Sequence, residues 1–212
     1  MPLTPALFPA LINAIAETLN VHADEVTELD QAIGDGDHVF NLQRGLEALQ
    51  AASNEITLMD WAAACQKIGM ILMSSIGGAS GSLYATLFIS LSKNIAGKPL
   101  DLEQFAEAFY LAIAAMKQRG KADVGEKTML DVLIPVAEAL KLDVATGKAL
   151  DDILRNLCET AETGVEATRD MLATKGRASF LGERSKGHID AGAKTAQLMI
   201  AAVAGVLKKA EA

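Results

Sequence analysis

Apolar residues recur at every third or fourth position along nearly the whole chain. The pattern is first visible at Leu7, Leu11, Ala14, Ile15 and Leu19 and is taken up again at Leu42, Leu46 and Leu49. That spacing puts one face of a helix in a core. The alternation of a half-buried strand is not found. With capping residues as boundaries, the pattern predicts eight helices, at roughly 5–30, 38–52, 58–75, 81–96, 102–119, 127–142, 148–173 and 191–209. Thr57 with Asp60 resembles a capping box, and Asp101 can cap the fifth helix. Pro135 lies inside the sixth and removes one backbone donor, so a bent packing helix is expected there.

Short connections make consecutive helices antiparallel, so alternate loops share an end. Loops one, three, five and seven are IGDGDH, SSIGGASGS, RGKADVGEKT and TKGRASFLGERSKGHIDAG, which hold most of the glycines and the densest polar groups. The connections near 53–57, 97–101 and 143–148 carry no such constellation. The expected fold is therefore all-α, an eight-helix antiparallel up-and-down barrel with one functional mouth.

Composition supports that picture. The 212 residues are 50% hydrophobic but only 4% aromatic, which suits close helix packing, and no Pro/Gly/Ser-rich linker divides them, so one domain over 1–212 is expected. A formal net charge of -8 without a basic stripe argues against nucleic acid as a partner. Cys65 and Cys158 stand alone in helical segments and read as reduced thiols. The N-terminus lacks a basic leader pattern, and the longest apolar run, Leu83 to Leu91, is too short to span a bilayer. A cytoplasmic protein with no membrane association is the expectation.

The first loop carries the most specific chemistry. Asp30, Asp35 and Asp37 fall within eight residues, with Gly34 and Gly36 between them and His38 after them. Carboxylates so close repel one another unless a cation sits among them, and an oxygen-only donor set suits Mg²⁺ or Ca²⁺. An EF-hand does not fit: counted from Asp30, Asp35 occupies its glycine position and Asn41 its bidentate glutamate. Mg²⁺ takes few protein carboxylates and completes its shell with water and phosphate, so the cluster points to a metal–nucleotide site. A capped Asp-Gly surface turn is the bland alternative.

His38 and Asn41, on the first turn of helix two, suit phosphate oxygens. The small residues of loop three, Ser80 among them, let backbone N–H groups approach an anion, although tight helix packing explains such residues equally well. No GxSxG elbow is present. Loop five imitates a P-loop but has one residue too many before Lys127-Thr128 and follows a helix instead of a strand, so a P-loop is rejected. Met129 could pack on a base, though Met usually fills cores. Loop seven is long for a compact domain, as binding loops tend to be. Its Arg177 and Arg184 complement a diphosphate, and His188 and Asp190-Ala191-Gly192 could reach a nucleoside. His22, outside every motif, is assigned to solvent.

The stretches ELDQAIGDGDHVFNLQRG, MSSIGGASG, RGKADVGEKTMLD and KGRASFLGERSKGHIDAG together resemble the signatures of the nucleotide-binding L subunit of dihydroxyacetone kinase, over essentially the whole chain. Ser82 and Ala191 stand where relatives often carry proline. The resemblance implies two Mg²⁺ ions on Asp30, Asp35 and Asp37. It places nucleotide phosphates on His38, Asn41, Ala79 and Ser80, and a nucleoside side lined by Gly120, Met129, Arg177, Asp190 and Gly192. It also implies ADP as a bound coenzyme, phosphoryl transfer to dihydroxyacetone held on a separate K subunit, and recharging by the phosphohistidine of an M subunit that draws on phosphoenolpyruvate. No nucleophile or general base is required of this chain. An ATP-dependent kinase subunit for a related ketose, and a nucleotide-sensing module docking on a transcription regulator, are the competing expectations.

Overall fold

The computed structural model describes residues 4–211; residues 1–3 and 212 lie outside that range. Nine α-helices occur among the described residues: α1 (Phe8–Val21), α2 (Ala23–Ile33), α3 (His38–Ile56), α4 (Trp61–Ser75), α5 (Gly78–Ile95), α6 (Leu102–Gly120), α7 (Leu130–Ala145), α8 (Leu150–Ala167) and α9 (Ala191–Glu211). No strand is found among them, and no helix is long and apolar enough to cross a membrane.

The helix expected over 5–30 is two. At His22 the backbone leaves helical values (φ -100, ψ 14), and the Glu25 carboxylate accepts from its ring Nδ1 at 2.7 Å. Neither glycine nor proline marks the break. The helix expected to run to 173 ends at Ala167, followed by a 3-10 turn at Thr168–Asp170, and Arg177–Ser185, within the loop expected to be irregular, forms 3-10 turns broken by a kink at Gly182.

Asp101 caps α6 through Gln104 N–H at 2.8 Å, as its position suggests. The capping box at Thr57 does not form. Asp60 is itself the cap of α4, accepting from Ala63 N–H at 2.8 Å, while Thr57 closes α3 with its hydroxyl on Asn54 O. An aspartate suffices as an N-cap without a reciprocal partner. Helix α7 continues through Pro135.

Neighbouring helices form a closed cycle: α1 packs on α3, each helix from α3 to α8 packs on the next, and α9 returns to α1. Helix α2 lies against α3 and α9. The interior is filled by Leu19, Ile56, Ile68, Met116, Leu130 and Ile153, all fully buried. Helices of this length gain most of their stability from such apolar faces. Cys65 and Cys158 are both free, and burial pushes the Cys65 thiol up to about 12, which leaves it unreactive.

Candidate functional site

Asp30 lies in the last turn of α2, which ends at Ile33, and the turn through Gly34–Asp37 leads into α3. The three aspartates come together here, with one oxygen from each of Asp30, Asp35 and Asp37 within 4.8 Å of the others. Gly36 allows the turn by adopting a positive φ of 76°. Asp30 Oδ2 also accepts from His38 N–H at 3.1 Å, so the second helix start is tied to the same carboxylate. An all-oxygen donor set at this separation fits a hard divalent cation and gives no purchase to a thiophilic one.

His38 joins three elements. Its Nε2 lies 2.9 Å from Thr195 Oγ1 on α9, and its Nδ1 lies 3.4 Å from Ser80 Oγ at the start of α5. Burial lowers its pKa against the opposing pull of Asp30, Asp37 and Asp35, so the imidazole is neutral near pH 7. A neutral ring flanked by hydroxyls offers a single N–H and adds no charge to the acidic mouth.

Loop three approaches from the other side. A β-carbon at Gly81 would lie 2.2 Å from Ile76 O, so only glycine permits the tight return that begins α5. Ala79 is exposed in the first turn of that helix, where backbone N–H groups have no helical acceptors. Asn41 is buried, accepts from Arg44 Nη2 at 3.0 Å, and sits 2.9 Å from where a β-carbon on Gly77 would be, which puts it directly beneath loop three.

On the opposite wall, Met129 is buried at the head of α7, with its methyl group 3.6 Å from the ideal β-carbon position of Gly192. Asp190 caps α9 by accepting from Ala193 N–H at 2.7 Å, and its own N–H bonds Thr168 Oγ1 at 3.0 Å. Burial raises its pKa to about 7 despite that bond. Gly120 is the last residue of α6, with its Cβ direction 3.3 Å from Leu83. Arg177 reaches across the mouth to Asp35, Nε to Oδ2 at 2.8 Å, with a side chain 70% exposed. Arg184 and His188 are exposed.

All four loops therefore meet at one end, as loop parity requires. Loops one and three join through His38, one and seven through Arg177, and five and seven through Glu126, whose Oε1 accepts from Thr174 Oγ1 at 2.8 Å. Several groups were not picked out from the sequence. Thr195 gives no signal, being one hydroxyl on an alanine-rich helix. Asp131, inside the GEKTMLD stretch, accepts from Gly125 N–H at 2.5 Å and from Thr128 N–H at 2.7 Å and shapes loop five. Lys127, prominent only as part of a false P-loop, is fully buried and donates to backbone carbonyls.

Similarity to known proteins runs over nearly the same length. The DAK2 domain profile matches residues 32–205. The chain is 39% identical over 192 residues to the PEP-dependent dihydroxyacetone kinase 1 ADP-binding subunit of Listeria innocua, covering 91% of each. It is 36% identical to the corresponding PEP-dependent ADP-binding subunit of Escherichia coli, covering 91% of this chain and 92% of that one. Among solved structures, the dihydroxyacetone kinase from C. freundii in complex with AMP-PNP and Mg²⁺ superposes with a TM-score of 0.73 at 25% identity, over 97% of this chain and 34% of that longer one. An all-helical fold with four signature loops at one mouth, matched by the profile across most of the sequence, places the chain in the DAK2 domain family.

Proposed function

We propose that the chain is a single-domain, cytoplasmic ADP-binding subunit of a phosphoenolpyruvate-dependent dihydroxyacetone kinase. The observation that carries this reading is the meeting of Asp30, Asp35 and Asp37 with His38 and Ser80 at one mouth, in a chain matched almost end to end by free-standing ADP-binding subunits. Asp30, Asp35 and Asp37 would hold Mg²⁺, two ions in the family pattern. His38, Asn41, Ala79 and Ser80 would take the phosphates. Gly120, Met129, Asp190 and Gly192 would line the nucleoside side, with Arg177 over the diphosphate.

When bound, Mg²⁺ supplies neutralisation of the charge on the transferring phosphoryl group. The chain's own residues position and donate. The His38 imidazole and the N–H groups at the start of α5 present hydrogen-bond donors to oxygens whose charge changes during transfer. Dihydroxyacetone would be held on a K subunit that also removes its hydroxyl proton, and the nucleotide would be recharged by the phosphohistidine of an M subunit.

Dialysis of the purified chain in Mg²⁺ tests the coenzyme role. Near-stoichiometric ADP should remain, and a phosphohistidine-bearing partner should convert it to ATP in place. Rapid exchange with free ATP and no recharging would instead support an ATP-dependent kinase subunit, the reading favoured by the AMP-PNP complex of the longer C. freundii enzyme. Ser80→Ala should speed ADP release about tenfold or more, because a hydrogen bond to a charged group is worth roughly 1.5–3 kcal/mol while the backbone donors remain. Unaltered release would leave Ser80 a packing residue.

A further inference from the structure

Lys127 has no part in the nucleotide reading, yet it is the bulkiest of the fully buried side chains, 1% exposed, and its backbone is left-handed at φ 60°. A non-glycine residue keeps that conformation only where its surroundings demand it. The demand is visible at its head group. The ammonium donates to Thr168 O at 2.5 Å, to Arg169 O at 3.2 Å and, in a very short contact, to His188 O. An ammonium has three donors, and all three are used.

Those carbonyls belong to the two stalks of one excursion of the chain. Residues 170–187 leave the body after Arg169 and return before His188, and Gly187 N–H bonds Arg169 O at 2.8 Å across the neck. Within the excursion, Ala173 N–H bonds Ser185 Oγ at 3.0 Å. The segment presents Arg177 to Asp35, and its second stalk runs directly into Asp190. Loop five braces the outer part too: Glu126 holds Thr174 through side chain and backbone and pairs with Lys175 at 3.3 Å. Loop five is itself stiffened by Asp131.

We infer that Lys127 is a positioning residue, a buried clip that ties both stalks of the 170–187 segment to loop five and thereby sets how long the mouth holds its ligand. Without the clip three carbonyls lose their shared donor, and the stalks are left to the Gly187–Arg169, Ala173–Ser185 and Asp190–Thr168 hydrogen bonds. The segment then opens independently of the helical ring, whose core it does not enter. Burial lowers the pKa of the ammonium, but three carbonyl acceptors favour the charged form.

Trypsin reads this directly, since Lys175, Arg177, Arg184 and Lys186 all lie on the segment. In ligand-free Lys127→Met, cleavage at those four positions should rise tenfold or more over the unaltered chain, while the far-ultraviolet dichroism and the melting of the helical ring stay the same. Glu126→Ala, a partly exposed position that leaves the clip in place, should raise cleavage about threefold. With MgADP bound, release from Lys127→Met should quicken by a similar tenfold. Cleavage of Lys127→Met equal to that of the unaltered chain would overturn the inference. If Lys127→Met does not fold, Lys127→Gln replaces it, its shorter amide being unable to serve all three carbonyls: faster cleavage than in the unaltered chain supports the clip, and unchanged cleavage overturns it. Only the release measurement rests on the nucleotide reading, so a chain that retains no ADP defeats that reading and leaves the proteolysis to judge the clip.

Discussion

Asp37→Asn should lower phosphoryl transfer in the reconstituted system by about a hundredfold or more while leaving the helical fold intact. The loss follows from charge. Each carboxylate of the cluster lies within 4.8 Å of the other two, and a neutral amide weakens the hold on a divalent cation whose role is to offset charge that develops during transfer; single electrostatic contributions of that kind are worth roughly 10²–10³ in rate. The fold is spared because Asp37 makes no side-chain cap to α3 and is exposed, so nothing in the core depends on it. Relief of repulsion should leave the melting temperature of the metal-free variant equal or slightly higher. Asp35→Asn should behave alike, and it also releases Arg177. Steady-state rates at saturating Mg²⁺, with melting curves of the same samples, check both halves. Full activity in either variant would remove the cluster from the metal site.

The purified chain alone should show no phosphorylation of free dihydroxyacetone from either ATP or phosphoenolpyruvate, and activity should appear on adding a substrate-bearing K subunit. In-line transfer needs an acceptor oxygen within a few ångströms of phosphorus and water kept out. The carboxylates, hydroxyls, His38 imidazole and backbone donors of the mouth are assigned to Mg²⁺ and nucleotide. On the proposed subunit reading a partner brings the acceptor in over the rim, where Arg177 is exposed. Robust turnover by the isolated chain would mean a complete kinase and would end the subunit reading.

The all-helical character and the meeting of four loops were legible because both rest on patterns that local physics fixes: a 3.6-residue period and the antiparallel sense of short connections. The acidic cluster was legible because like charges crowded into one turn have few other uses. What escaped was tertiary. The break at His22 falls in an unbroken apolar pattern, and beyond it α2 packs on α3 and α9, contacts that no local spacing reveals. The end of α8 was missed because Thr168 and Met171 continue the helical spacing, while Thr168 is in fact buried to bond Val165 O and Asp190 N–H. Rejecting a P-loop at Lys127 was correct on spacing, but the lysine's partners lie 41 and 61 residues away, beyond any local pattern. Thr195, 157 residues from His38, is hidden for the same reason.

The ring of helices is closed by its earliest and latest members, α1 against α9, and this has a bearing on the order of folding. Contacts between segments so far apart are entropically late. During synthesis, α3 to α8 can pair in turn as they emerge, but α1 and α8 keep an uncovered apolar flank until α9 arrives. The same helix carries Thr195 and follows Asp190, so the last seam to close is also the one that finishes the mouth. Until α9 docks, His38 lacks its Thr195 partner and Asp190 has no helix start to cap.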